Sequence, residues 1–213
     1  MARLINKKIN TVFAILSKNI KNPKTELNYK NQYTFLISVV LSAQTTDKAV
    51  NESTINLFKI VKKPEEMIKL GERKLKSYIR SIGLYNSKAK NVINLSKILV
   101  KKYGGKIPKD FNSLVDLPGV GNKTASVYQN EILDIPRIAV DTHVFRVSNR
   151  IGLVNTNNPD ETQKELELIV PKKWLKKAHM LLILHGRKVC KSQNPNCVNC
   201  AINKFCKYKK LLS

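Results

Sequence analysis

Six side chains stand where they can do chemistry. Four are cysteines, Cys190, Cys197, Cys200 and Cys206, within one short window and spaced C-x6-C-x2-C-x5-C. Thiolates at this density suit a single metal centre, zinc or iron–sulfur. Disulfides would be rare in a reducing compartment. Zinc ribbons usually carry two close C-x2-C pairs, and here only Cys197 and Cys200 form one. The fifth side chain is Lys123, just past Leu117-Pro118-Gly119-Val120-Gly121-Asn122. A lysine in a helix's first turn opposes the helix dipole, which favours the neutral amine, and a neutral amine is a nucleophile. The sixth is Asp141, between the apolar run Ile138-Ala139-Val140 and a helical pattern of Val144, Val147 and Ile151. It suits an N-cap whose carboxylate stays ionised. Together the pair fits covalent catalysis. Taken singly, such a lysine is ordinarily a solvated side chain and such an aspartate only a cap.

The elements that must position them read as helices. Pro118 cannot continue a helix, and Gly119 and Gly121 bracket one apolar residue, so the chain turns tightly with its N–H groups uncovered. From Asn122 the period is helical, with Ala125, Tyr128 and Ile132 on one face. Helix, tight Gly-x-Gly hairpin, helix leaves N–H donors and a positive helix start, an anion site suited to a phosphate. Elsewhere the spacing predicts helices over 1–24, 33–46, 47–60, 64–70, 72–81, 87–103, 110–117, 142–151, 159–169 and 171–187. Pro159 and Pro171 suit helix starts. No run of alternating strands is evident, so the chain reads as all-α. The tail from Lys188 is too short and polar to hold a core, which leaves metal to staple it.

Composition narrows the partners. The 213 residues, 42% hydrophobic, can bury a sizeable core. Thirty-nine basic residues against 15 acidic ones leave a net charge of +24, which favours polyanions, nucleic acid first. Most of the basic residues are lysine, a bias that an AT-rich genome would also produce, so part of this charge is discounted. No apolar run is long enough to span a membrane, and the start of the chain has no secretory pattern, so the expected address is the cytoplasm, near the nucleoid.

Four segments, in order, resemble those of one family. Leu117 to Ala125 (LPGVGNKTA) followed by Val140-Asp141-Thr142-His143 is similar to the helix–hairpin–helix and Gly/Pro–Asp loop of the endonuclease III family of DNA base-excision glycosylases. Leu41 to Asp47 (LSAQTTD), Ile82 to Ala89 (IGLYNSKA) and the cysteine motif resemble the same family's segments. The resemblance covers nearly the whole chain. It implies an all-α, two-lobed fold. One lobe is a six-helix barrel over about 25–135. The other, 1–24 with 136–213, is organised by a [4Fe–4S] cluster on the four cysteines, with a DNA cleft between the lobes.

The resemblance also implies roles. Lys123 attacks C1′ of the damaged nucleotide and forms a Schiff base, and β-elimination then cleaves the strand on the 3′ side. Asp141 stabilises positive charge at C1′. Gly119, Val120 and Gly121 bind a flanking phosphate. Gln44 meets the orphaned base and Leu84 wedges into the gap left by extrusion. His143 and Arg146 touch phosphate or hold the loop after Asp141. The expected activity is that of a bifunctional glycosylase and abasic-site lyase on oxidised pyrimidines of the thymine glycol type, acting as a monomer on damaged duplex DNA. Two departures stand out. Familiar members carry an acidic residue three positions before the hairpin proline, where this chain has Val115, expected to pack. Their cluster loop carries several basic residues, where this chain keeps only Lys191, with Lys204, Lys207, Lys209 and Lys210 as compensating candidates. Competing readings are a monofunctional or mismatch-directed glycosylase and a non-catalytic DNA-binding protein.

Overall fold

In the computed structural model, residues 2–210 are described, with side chains over 7–209. Every regular element among them is helical: α1 (Ala2–Asn19), α2 (Gln32–Leu41), α3 (Asp47–Thr54), α4 (Leu57–Ile60), α5 (Pro64–Tyr78), α6 (Tyr85–Tyr103), α7 (Phe111–Val115), α8 (Asn122–Ile132), α9 (Thr142–Ile151), α10 (Pro159–Ile169), α11 (Lys172–Lys188), a 3-10 turn (Asn203–Phe205) and α12 (Lys207–Lys210). They form two compact units, Glu26–Leu133 and a discontinuous one of Met1–Thr25 with Asp134–Ser213.

Within Glu26–Leu133, α2 is the buried centre. A capping box starts it: the Asn31 side chain accepts from the Thr34 amide, and the Thr34 hydroxyl accepts from the Asn31 amide. Tyr33 through Leu41 are then all buried. They pack against α8, where Phe35 meets Tyr128, and against α6, where the Tyr33 hydroxyl pairs with Ser96 Oγ at 2.6 Å. Burial raises the Tyr33 pKa and pushes that of Tyr128 up to about 12, so both stay protonated. α5 begins with Pro64 at its first turn and breaks its helical backbone at Gly71 (φ 79°), as the two separate stretches read from sequence require. It packs along α6, which ends at Gly104 in the left-handed conformation, the Gly105 amide reaching back to the Leu99 carbonyl.

The second unit is built on α9 and α11, with α1 and α10 against them. Its core joins Val12, Phe13 and Leu16 of α1 to Val144 and Val147 of α9 and to Leu181 and Leu182 of α11. Trp174 stacks on Phe13 and donates its indole N–H to Asn10.

Several boundaries differ from the sequence reading. The first helix stops at Asn19, ahead of the basic turn. The stretch 33–46 stops at Leu41, because Gln44 takes a left-handed backbone (φ 53°), and Ala43, expected in the core, is exposed. The stretch 47–60 is two helices broken at Ile55 and Asn56. Val115 is half-buried at the end of α7.

Candidate active site and thiol centre

The Gly-x-Gly turn joins α7 to α8. Gly119 adopts φ 81°, and a Cβ there would lie 3.1 Å from both Asn91 Cβ and Val40 Cγ1. Only glycine suits that backbone and that approach. Val120 beside it is buried, while Gly119 and Gly121 are exposed. Gly121 is the N-cap of α8 and supplies no capping side chain, and no acidic residue stands in the first turn. The helix start therefore keeps its positive end open, as phosphate binding requires. Lys123 sits at the second position of this helix, exposed.

Two further turns of the same unit present exposed side chains from left-handed backbone. Gln44 (φ 53°) follows α2, and Leu84 (φ 59°, ψ 25°) precedes α6. Leu84 is 58% exposed, so it is not packed inward. A large side chain in this region costs roughly 1–2 kcal/mol. Such strain is retained where the surroundings, or a function, hold it.

In the other unit, Asp141 caps α9, and both cap bonds land on one oxygen: Oδ1 accepts from the amides of His143 (2.9 Å) and Val144 (2.8 Å). Capping thus leaves Oδ2 for other work. The approach to Asp141 is pinned from two sides. Glu167 accepts from the Ile138 amide, and the His179 ring lies 2.7 Å from the Ala139 carbonyl. Behind the cap, the Arg146 guanidinium contacts His143 Nδ1 and donates to the carbonyls of Gly186 and Cys190. Arg146 is therefore committed to holding this corner together. Gly186 makes the approach feasible: a Cβ there would meet Val147 Cγ2 at 3.0 Å and His143 Cβ at 3.1 Å.

The four cysteines are free thiols, each half-buried, and all line one pocket with Ile151, His185, Val189 and Ile202. Burial pushes the Cys200 thiol up, and charge on Cys206, Cys190 and Cys197 pushes it further. Four thiols lining one pocket are a donor set that a cationic centre would suit. His185 Nε2 lies 3.7 Å from Cys200 Sγ, and burial holds its pKa down to about 4, leaving the ring neutral.

Arg150, not singled out from sequence, binds the loop after Cys190. It donates to the carbonyls of Lys191 (2.6 Å) and Ser192 (3.0 Å), approaches Cys190 Sγ at 3.8 Å and stacks over Tyr208. Lys191 is exposed on that tethered loop, as are Lys204 and Lys207, while Lys209 is half-buried. The side chain of Lys210 lies outside the described residues. Lys123, Gln44, Leu84 and the hairpin thus belong to one unit, and Asp141, His143, Lys191 and the cysteines to the other.

Residues 37–172 match the HhH-GPD superfamily of base excision DNA repair proteins. Endonuclease III of Rickettsia conorii is 53% identical over 200 residues, covering 94% of this chain and 95% of the relative. The chain belongs to the endonuclease III family. Endonuclease III of Escherichia coli K12 is 43% identical over 92% of each chain. A solved trapped endonuclease III–DNA covalent intermediate, an estranged-adenine complex, matches with a TM-score of 0.92 and 39% identity, covering 97% of this chain and 98% of that one. An all-helical HhH-GPD fold and the character of a base-excision repair DNA glycosylase follow for this endonuclease III family member. No helix among its described residues is long and apolar enough to cross a membrane.

Proposed function

We propose that this protein is a bifunctional DNA glycosylase and abasic-site lyase that removes oxidised pyrimidines, thymine glycol among them, from duplex DNA as a monomer in the cytoplasm, at the nucleoid. The observation that carries the reading is an exposed primary amine, Lys123, at the second position of a helix whose N-cap glycine supplies no capping side chain. The amine of Lys123 attacks C1′, the damaged base departs with a proton, and an iminium forms with the opened sugar. Loss of a C2′ proton then expels the 3′-phosphate, and water releases the enzyme. Strand cleavage by this route needs a primary amine, which among side chains lysine alone supplies.

Asp141 acts through its uncommitted oxygen, stabilising positive charge at C1′. The Val120 amide closes the turn by donating to the Leu117 carbonyl (3.0 Å), so the expected phosphate contact of Val120 falls to its neighbours. The amides of Gly119 and Gly121 take a flanking phosphate, a contact with no sequence code, as damage at any site requires. Gln44 meets the estranged base and Leu84 fills the vacated stack, which accounts for two exposed side chains held on strained backbone. His143 supports the Asp141 corner and Lys191 contacts the duplex. Cys190, Cys197, Cys200 and Cys206 would hold a [4Fe–4S] cluster, whose chemistry here is to cross-link the tail and order the Lys191 loop.

The test is product analysis on a duplex with a single abasic site. Wild type should nick it, leaving a 5′-phosphate on one fragment and an unsaturated aldehyde at the 3′ end of the other, and Lys123→Ala should leave it intact. Tight duplex binding by a folded wild type without nicking would overturn the lyase reading.

A further inference from the structure

Lys88 is one of the few charged residues buried in the described chain, 5% exposed, and neither the chemistry nor the DNA contacts proposed above use it. It lies one turn into α6, and its amide donates to the Leu84 carbonyl (3.0 Å). Its ammonium crosses 43 residues of sequence to donate to Thr45 Oγ1 at 2.7 Å. The Thr45 hydroxyl in turn reaches the Ala43 carbonyl at 3.4 Å, and the Thr45 amide donates to Ser42. Gln44 is therefore flanked by two residues tied into this chain of bonds, and Leu84 is tied to it through the backbone. Burial lowers the pKa of the Lys88 amine, a cost that the fold bears. A charged donor on a single, half-buried hydroxyl makes a short, oriented bond.

We propose that Lys88 is a positioning residue that straps the Gln44 turn to the Leu84 turn, fixing the separation of the two side chains that enter the duplex. The proposal rests on the roles given above to Gln44 and Leu84. Both tips sit on backbone that an unsupported loop would relax from. A strap between them keeps both presented before DNA arrives, so that little ordering has to occur on binding.

The experiment is single-turnover excision with a 2-aminopurine reporter beside the lesion, whose fluorescence rises as the base leaves the stack. It is run on a fully paired duplex and on one whose lesion lies in a small unpaired bubble. Thr45→Val removes the acceptor, Thr45→Ser keeps it, and Lys88→Met removes the donor. Thr45→Val and Lys88→Met should each slow extrusion in the paired duplex about tenfold, the worth of one charged hydrogen bond. They should leave the bubble substrate within about twofold, where no gap needs filling. Thr45→Ser should match wild type, and the double variant should be no worse than either single one. Equal losses on both substrates, additive losses, or a Thr45→Ser as slow as Thr45→Val would overturn the strap. Gln44→Ala and Leu84→Ala, run alongside, separate the failures. If they too leave extrusion unchanged, the gap-filling reading falls; if they slow it while Thr45→Val does not, only the strap falls.

Discussion

Both cap bonds at the start of α9 land on Oδ1 of Asp141, so the residue's structural and chemical duties are separable. Asparagine caps a helix about as well as aspartate, whereas alanine costs about 1 kcal/mol. Asp141→Asn should thus melt within a degree or two of wild type yet lose about a hundredfold or more in single-turnover excision, the usual loss when a charge-stabilising group goes. Asp141→Ala should lose the same activity and also stability. A fully active Asp141→Asn would reduce the residue to a cap. Leu84 gives the opposite test. Glycine accepts φ 59° without the Cβ penalty, so Leu84→Gly should be as stable as wild type or more so, by up to about 1 kcal/mol, while excision from paired duplex falls. Calorimetry and excision rates should move in opposite directions. A destabilised Leu84→Gly would mean that the side chain serves packing instead.

Two glycines set how closely helices approach the chemistry. Gly119→Ala faces both a left-handed backbone and 3.1 Å contacts with α2 and α6, so it should cost about 1–3 kcal/mol and weaken duplex binding, measured by denaturant melts and titration. Gly186→Ala pushes α11 from α9 at Val147 and His143, and overpacking of this kind costs about 1–3 kcal/mol. The elements were legible in sequence where local chemistry marks them. Pro159 announces α10, which runs over the residues the pattern predicts. The overrun past Leu41 has a physical cause: a glutamine carries no turn signal, yet Gln44 takes a left-handed backbone, and the Thr45 beside it bonds to Lys88, 43 residues away. Likewise α12, which packs on α9 through Lys207 and Gly152, is not foreshadowed by any pattern in the tail. Lys123, Asp141 and the cysteines stand out because their motifs are local. Lys88, Arg150 and Gly186 do not, because each acts on partners 40 or more residues away.

At the scale of the molecule, charge and the thiol centre make separate predictions. A net charge of +24 should give duplex affinity a steep salt dependence, with log K falling about 0.9 per phosphate neutralised. The slope should report far fewer phosphates than the lysines available, since many lie away from the hairpin. Protein made with iron should be brown and lose its colour, together with the ordered tail and duplex binding, on oxidative cluster removal. A colourless protein holding stoichiometric zinc would replace the cluster with a mononuclear site.

The central claim is that Lys123 forms a covalent bond with the sugar. Borohydride reduction during reaction with an abasic duplex tests it most directly, because a Schiff base becomes a permanent protein–DNA adduct. Wild type should give the adduct, Asp141→Asn should give it more slowly, and Lys123→Gln should give none while still binding the duplex. An undiminished adduct from Lys123→Gln would place the nucleophile elsewhere, and no adduct from a folded, DNA-binding wild type would contradict the covalent route.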